Sequence, residues 1–136
     1  ENIMNSFYNE KSDIWGMGCI MFELLTGEYL FEIDRDLNDN EKDRQHLHQM
    51  FETLGKIPKD YVLDCEFRDH LFDNQGRIIN NKHCNYKNLE EIFINDYNYN
   101  ENDSKNISNF LKKLLDYNIK TRYSAEKSYN DIWLNE

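Results

Sequence analysis

Ser12-Asp13-Ile14-Trp15-Gly16-Met17-Gly18-Cys19-Ile20-Met21-Phe22-Glu23-Leu24-Leu25-Thr26-Gly27 is the stretch on which the fold turns. Nine of the fourteen residues from Asp13 to Thr26 are apolar, and they spread around the helical wheel instead of forming one stripe. That pattern predicts a helix buried on all sides. Ser12 is placed to cap it, Asp13 adds negative charge to the first turn, and Gly27 supplies the stop. Periodicity alone would suit the core helix of any α protein, so residue identity has to narrow the reading.

Working outward, Leu47, Met50, Phe51 and Leu54 recur at helical spacing and predict a second helix from near Asp43. Gly55 ends it and Pro58 prevents its resumption. Ile107, Phe110, Leu111, Leu114 and Leu115 predict a third helix, with Ser104 near its start. A last helix is expected from about Ser124, with Ala125, Tyr129, Ile132 and Trp133 on one face. Between Asp60 and Asn102 the pattern weakens: Asp73-Asn74-Gln75-Gly76 signals a turn, and Asn88 to Ile94 could form a short helix. The run Asn95-Asp96-Tyr97-Asn98-Tyr99-Asn100-Glu101-Asn102-Asp103 has little apolar surface to bury and is expected to be mobile. The fold class is therefore mainly α.

Formal net charge is −10, and 31% of residues are charged. Such acidity argues against a nucleic-acid or anionic-membrane partner and suits a surface that attracts basic peptides. Cys19, Cys65 and Cys84 are odd in number and widely spaced, without Cys-x-x-Cys, and read as thiols of a reducing compartment. His46 and His48 are two apart in an expected helix and point to different faces, so no metal site is expected. No apolar run approaches the ~20 residues a membrane helix requires, and no signal peptide opens the chain. A cytoplasmic or nuclear location follows as the expectation.

Residue identity points further. Asp13-Ile14-Trp15 with Gly18, then Phe22-Glu23-Leu24, Thr26-Gly27 and Tyr29-Leu30-Phe31, resemble the central helix of a protein kinase's large lobe and the loop after it. Glu52-Thr53-Leu54-Gly55-Lys56-Ile57-Pro58 is similar to the Leu-Gly-Lys-x-Pro segment of the SR protein kinases, the serine kinases of Arg/Ser-rich splicing factors. Leu114 to Tyr117, Arg122, Ser124-Ala125 and Trp133-Leu134 resemble the closing helices of kinases in general. Glu1 falls on the acid closing the Ala-Pro-Glu type motif. The LAMMER-type splicing kinases, whose second helix also ends in Leu-Gly, are the next nearest resemblance.

The resemblance implies residues 1–136 of a partial kinase domain, from the end of the activation segment to the last helix, with an insert at about 60–103. A first residue of Glu1 in place of Met agrees with a fragment. The parent would be an ATP- and Mg-dependent serine/threonine kinase that phosphorylates basic, Arg/Ser-rich proteins in splicing regulation. Its partners would be those substrates and the remainder of the kinase domain. The resemblance also implies structural roles for Glu1, Asp13, Trp15, Gly18 and Arg122. Glu1 and Arg122 would form an ion pair, and Asp13 would accept hydrogen bonds from the backbone of the catalytic loop. Glu23 and the acids Asp34, Asp36, Asp39, Glu41 and Asp43 would dock basic substrate, with Glu32 nearby. Gln45 stands where the family often has Asp, and Ile119 where most kinases have Pro.

These 136 residues carry no Gly-rich loop, strand lysine, H-R-D loop or D-F-G site, so no catalytic or cofactor-binding residue is expected among them. The isolated chain is expected to be inactive and to bind neither ATP nor Mg. The alternative is a non-catalytic lobe that docks basic peptides or a kinase partner through its acidic surface.

Overall fold

The computed structural model describes residues 9–63, 65, 68–79 and 85–135. In chain order these carry α1 (Lys11–Thr26), α2 (Asp39–Leu54), α3 (Lys59–Leu63), α4 (Arg68–Leu71), α5 (Leu89–Asn95), α6 (Glu101–Leu114), α7 (Ala125–Tyr129) and α8 (Ile132–Asn135). The mainly α expectation is met: among the described residues the sole β feature is an isolated antiparallel bridge between Phe72 and Ile78. By internal packing the chain divides into two units, one of Asn9–Leu30 and Lys87 onward, the other holding Phe31–Tyr86. The stretch 60–103 is thus shared between them.

In the first unit, α1 packs on α6, and α5 and α8 also pack on α6. The core is Ile14, Phe22, Leu89, Phe93, Ile107, Phe110, Leu111, Leu114 and Leu115, all under 9% exposed. Ile14, Gly18 and Phe22 form the buried stripe of α1, at i, i+4, i+8. The expected burial on every side does not hold, because Ile20 is 57% and Leu24 79% exposed on the far side from that stripe. Where α1 crosses α6 the backbones come close: a Cβ added at Gly18 would lie 2.8–2.9 Å from the Leu115 side chain and 3.2 Å from the Leu114 Cβ.

Helix ends depart from expectation for a common reason. α1 begins two residues early, with Glu10 and not Ser12 at its N-cap and without a side-chain cap, while the Asn9 carboxamide oxygen just outside accepts from the Lys11 N–H at 2.9 Å. Ser12 lies within the helix. α2 begins at Asp39 and not near Asp43, since Asn38 and Glu41 form a reciprocal capping box. Asn88 and Glu91 repeat that device at α5, and Asn100 caps α6 ahead of Ser104, which is buried inside the helix. Ser124 caps α7 as expected, accepting from the Lys127 N–H. The final helix breaks at Asn130-Asp131, so Tyr129 and Ile132 are 76% and 75% exposed in place of joining Trp133 on a core face. Trp133 packs on Phe110 with ring centroids 5.1 Å apart.

In the second unit, α2 packs on α4, burying Leu47, Met50, Val62, Leu71, Phe72 and Ile78. The predicted turn at 73–76 forms, closed by the Gly76 N–H donating to the Asp73 carbonyl at 2.9 Å, with Gly76 at φ 74°. Gly55 ends α2 at φ 86°, a backbone angle that favours glycine.

The asparagine-rich run is fastened and not loose. The Tyr97 hydroxyl donates to Glu28 and the Tyr99 hydroxyl to the Leu25 carbonyl, both at 2.8 Å. Two aromatic rings, invisible to a composition average, supply the anchorage.

Gly18 and Gly16 make opposite predictions. Ala at 18 gains about 1 kcal/mol of helix propensity but overpacks the α1–α6 contact by roughly 1–3 kcal/mol, a net loss of about 1 kcal/mol. Ala at 16 meets nothing within 4 Å and should stabilise by about 0.5–1 kcal/mol. Urea melts of the two variants check both signs.

Candidate functional site

Arg122 organises the frame residues. It is 2% exposed, its Nε donates to the Asp116 carbonyl at 2.8 Å and its Nη1 to the Lys11 carbonyl at 2.9 Å. Its guanidinium lies 5.0 Å from the Trp15 ring centroid, and Trp15 in turn lies 6.0 Å from the Tyr117 ring. The side chain therefore ties the first turn of α1 to the loop after α6 through a planar donor set and a cation–π face. The expected Glu1 partner lies outside the described residues.

The loop that presents Arg122 closes without the proline expected of kinases. Asp116 accepts from the Asn118 N–H at 2.8 Å and from the Thr121 hydroxyl at 2.7 Å, and Asn118 accepts from the Lys120 N–H at 3.0 Å. The Arg122 N–H then donates to the Asn118 carbonyl at 2.8 Å. Side-chain acceptors thus do the work of a fixed φ around Ile119.

Below this loop, Asp131 gathers the Lys113 ammonium at 2.8 Å, the Tyr123 hydroxyl at 3.1 Å and the Trp133 N–H at 3.1 Å. Burial pushes its carboxyl upward, but the hydrogen bonds from Lys113, Trp133 and Tyr123 outweigh that and hold it below the usual carboxylate range. The sequence reading missed this cluster. Its signal was an acid between two short helical patterns, which alone cannot reveal a lysine eighteen residues earlier.

Asp13 sits exposed in the first turn of α1, where its charge favours the helix dipole. Glu23 is half-buried on α1. The other acids belong to the second unit. Asp34 and Asp36 lie on the exposed loop before α2, while Asp39, Glu41 and Asp43 stand in its first turns. Asp39 and Glu41 therefore also serve the helix terminus, Glu41 as half of the capping box. Burial and then the neighbouring Asp39 raise the Asp43 carboxyl.

The loop is clipped onto α2 from two successive turns. Gln45 accepts from the Asp34 N–H at 2.8 Å, and Gln49 donates to the Glu32 carbonyl at 2.6 Å. Gln45, the departure from the family's Asp, thus holds the acid-bearing backbone in place. Glu32, Ile33, Asp34, Arg35 and Gln45 line an open concavity, so a cation of the chain itself shares the acidic surface. Nearby, burial pushes the His46 imidazole down, and its ring packs 5.1 Å from that of Phe31.

Cys19 and Cys65 are reduced thiols, and burial raises Cys19 to about 11, leaving it protonated at neutral pH. Cys84 lies outside the described residues. Among the described residues no group of three or more His, Cys, Asp or Glu could hold a metal ion, and no helix is long and apolar enough to cross a membrane.

A protein kinase domain model matches residues 1–134. Serine/threonine-protein kinase SKY1 of Saccharomyces cerevisiae is 30% identical over 125 residues, 92% of this chain and 17% of that protein. Protein kinase dsk1 of Schizosaccharomyces pombe is 31% identical over 136 residues, 100% of this chain and 25% of that one. SRSF protein kinase 3 of Homo sapiens is 29% identical over 135 residues, 99% and 24% respectively. The chain spans a quarter or less of the length of these curated relatives.

Arg122→Ala removes two part-buried hydrogen bonds and the cation–π contact with Trp15 and should cost roughly 2–5 kcal/mol in a denaturant melt. For Asp131, whose folded pKa is depressed, the stabilisation is present above the unfolded carboxylate range and is lost as pH falls through the folded pKa. Asp131→Asn should therefore lower stability at pH 7 by about 1–3 kcal/mol and flatten the acid limb of a stability–pH profile.

Proposed function

The chain belongs to the protein kinase family, and on that premise we propose that the whole protein transfers the γ-phosphate of ATP to serines of basic, Arg/Ser-rich proteins. These 136 residues would supply the end of the activation segment and the large-lobe helices that follow. Phosphoryl transfer rests on positioning and on charge stabilisation around ATP and Mg. Those tasks would fall to residues beyond this chain, whose own part is the frame and the substrate-facing surface.

The observation that carries the proposal is the buried Arg122 with Trp15 stacked beneath it, together with Gly18 at the α1–α6 crossing. They fix α1 against α6 and the loop after it, which supports reading α1 as the central helix. The outer side of α1 supports the same reading. Asp13, Ile20 and Leu24 are exposed along it, a surface suited to the remainder of a kinase domain, with Asp13 receiving backbone N–H groups of the catalytic loop.

For the substrate, Asp34 and Asp36 stand on a loop clipped by Gln45 and Gln49, so two exposed carboxylates are presented from an ordered backbone. Such charges steer a cationic peptide and set its on-rate, an effect that salt screens over about 8–10 Å. Arg35 within the same concavity tempers the attraction. A second reading, a non-catalytic docking lobe, draws on this same clipped loop.

An assay of the full-length protein with ATP, Mg and an Arg/Ser repeat peptide separates the two. Serine phosphorylation supports the kinase, whereas peptide binding without phosphate transfer supports the docking lobe. Asp34→Asn with Asp36→Asn should weaken peptide binding at low salt by roughly 2–30-fold, from about 0.2–1 kcal/mol per exposed charge. The difference should vanish near 0.5 M salt. Equal binding by the double variant and the parent at low salt would overturn the docking role.

A further inference from the structure

The segment between α5 and α6 is a strap fastened to the end of α1 by two tyrosines that are chemically unalike. The Tyr99 hydroxyl donates to the Leu25 carbonyl, one of the last-turn acceptors of α1 that has no partner within the helix. Its ring packs edge-on against Phe93, centroids 5.4 Å apart, and its N–H donates to the Phe93 carbonyl at 3.0 Å. Tyr97 instead donates to a carboxylate, Glu28 Oε2, at 2.8 Å, just beyond the end of α1. Its ring meets Phe22 edge-on at 5.9 Å. Between them Asn98 turns the chain at φ 58°, a left-handed angle that asparagine tolerates better than other side chains with a Cβ. The two fastenings therefore differ in what can undo them. The Tyr99 bond joins neutral groups in a partly buried place, whereas the Tyr97 bond is exposed and depends on a neutral hydroxyl facing a negative charge.

We propose that Tyr97 is a charge-sensitive latch, and that phosphorylation of its hydroxyl releases residues 96–100 from the end of α1. The step is an ordinary phosphoryl transfer from a nucleoside triphosphate by a tyrosine-directed kinase. The Tyr97 oxygen forms a bond to the γ-phosphorus, the nucleoside diphosphate leaves, and the hydroxyl proton passes to solvent. The product loses its donor hydrogen and places close to two negative charges against Glu28, with Asp96 adjacent. Lys87, 3.2 Å from both Asp96 oxygens, pairs with the Asp96 charge. The hydroxyl's own ionisation meets the same resistance. Burial raises the Tyr97 pKa first, and the hydrogen bond to Glu28 and the charges of Glu28 and Asp96 add to it, against a lowering hydrogen bond with Thr26. This latch rests on side-chain geometry within one packed unit and holds whichever reading of the parent's activity is right.

The test is amide hydrogen exchange on the full-length protein with phosphotyrosine installed at position 97. Exchange should quicken about tenfold or more at the Tyr99 and Gly27 amides, and stay unchanged in α6 around Leu111, which reports that the fold persists. Tyr97→Phe, which removes the hydrogen bond without adding charge, should quicken exchange much less. Glu28→Gln combined with the phosphotyrosine should recover part of the protection. Exchange in the phosphorylated protein equal to that of Tyr97→Phe, or no recovery with Glu28→Gln, would overturn the latch.

Discussion

A buried guanidinium is expensive, and the arrangement around Arg122 shows how the chain meets that expense. Taking the charge out of water costs several kcal/mol unless its donors and its positive face are matched. Here the matches come from two parts of the chain: the Asp116 carbonyl six residues before Arg122, and the Lys11 carbonyl and Trp15 ring of α1, more than a hundred residues away. Moving either carbonyl takes a partner from the guanidinium's donors, and moving the ring uncovers its positive face. The α1–α6 contact, with its glycine at the crossing, is thereby held at one end by polar geometry and along its length by apolar packing.

Asparagine has a structural use here beyond composition. Asn9, Asn38, Asn88 and Asn100 each offer a side-chain oxygen to the opening turn of a helix. Asn38-Asp39-Asn40-Glu41 and Asn88-Leu89-Glu90-Glu91 carry the spacing of a capping box in plain view. Those two helix starts were legible, and weighting the first apolar residue over the cap placed the start of α2 too late. The tyrosines of the asparagine-rich run mislead in the other direction. A segment judged by average polarity should wander, yet two hydroxyls and two rings suffice to pin it.

The acidic residues divide by role once their backbone positions are known. Asp39 and Glu41 face a helix terminus that favours negative charge whatever binds nearby. Asp34 and Asp36 stand exposed on a loop whose path is set by Gln45 and Gln49, and the Asp34 carboxylate also accepts from the Asp36 N–H at 2.9 Å. Net charge counted all of them alike. Only position separates the carboxylates at a helix terminus from those exposed on the loop.

Sequence by itself determined the family, the mainly helical class, the turn at 73–76, the glycine stops at 27 and 55 and the Ser124 cap. All of these depend on neighbours within a few residues or on side-chain identity at fixed spacing. Tertiary structure alone decided that Arg122 is buried, that Asp131 holds Lys113 and Tyr123, that Ile20, Leu24, Tyr129 and Ile132 face outward, and that the 95–100 segment is tied down. The physical reason is common to these cases. A helical wheel tells which residues could be covered, but whether they are depends on which elements arrive against them, and hydrogen bonds across 69 to 111 residues leave no trace in local pattern.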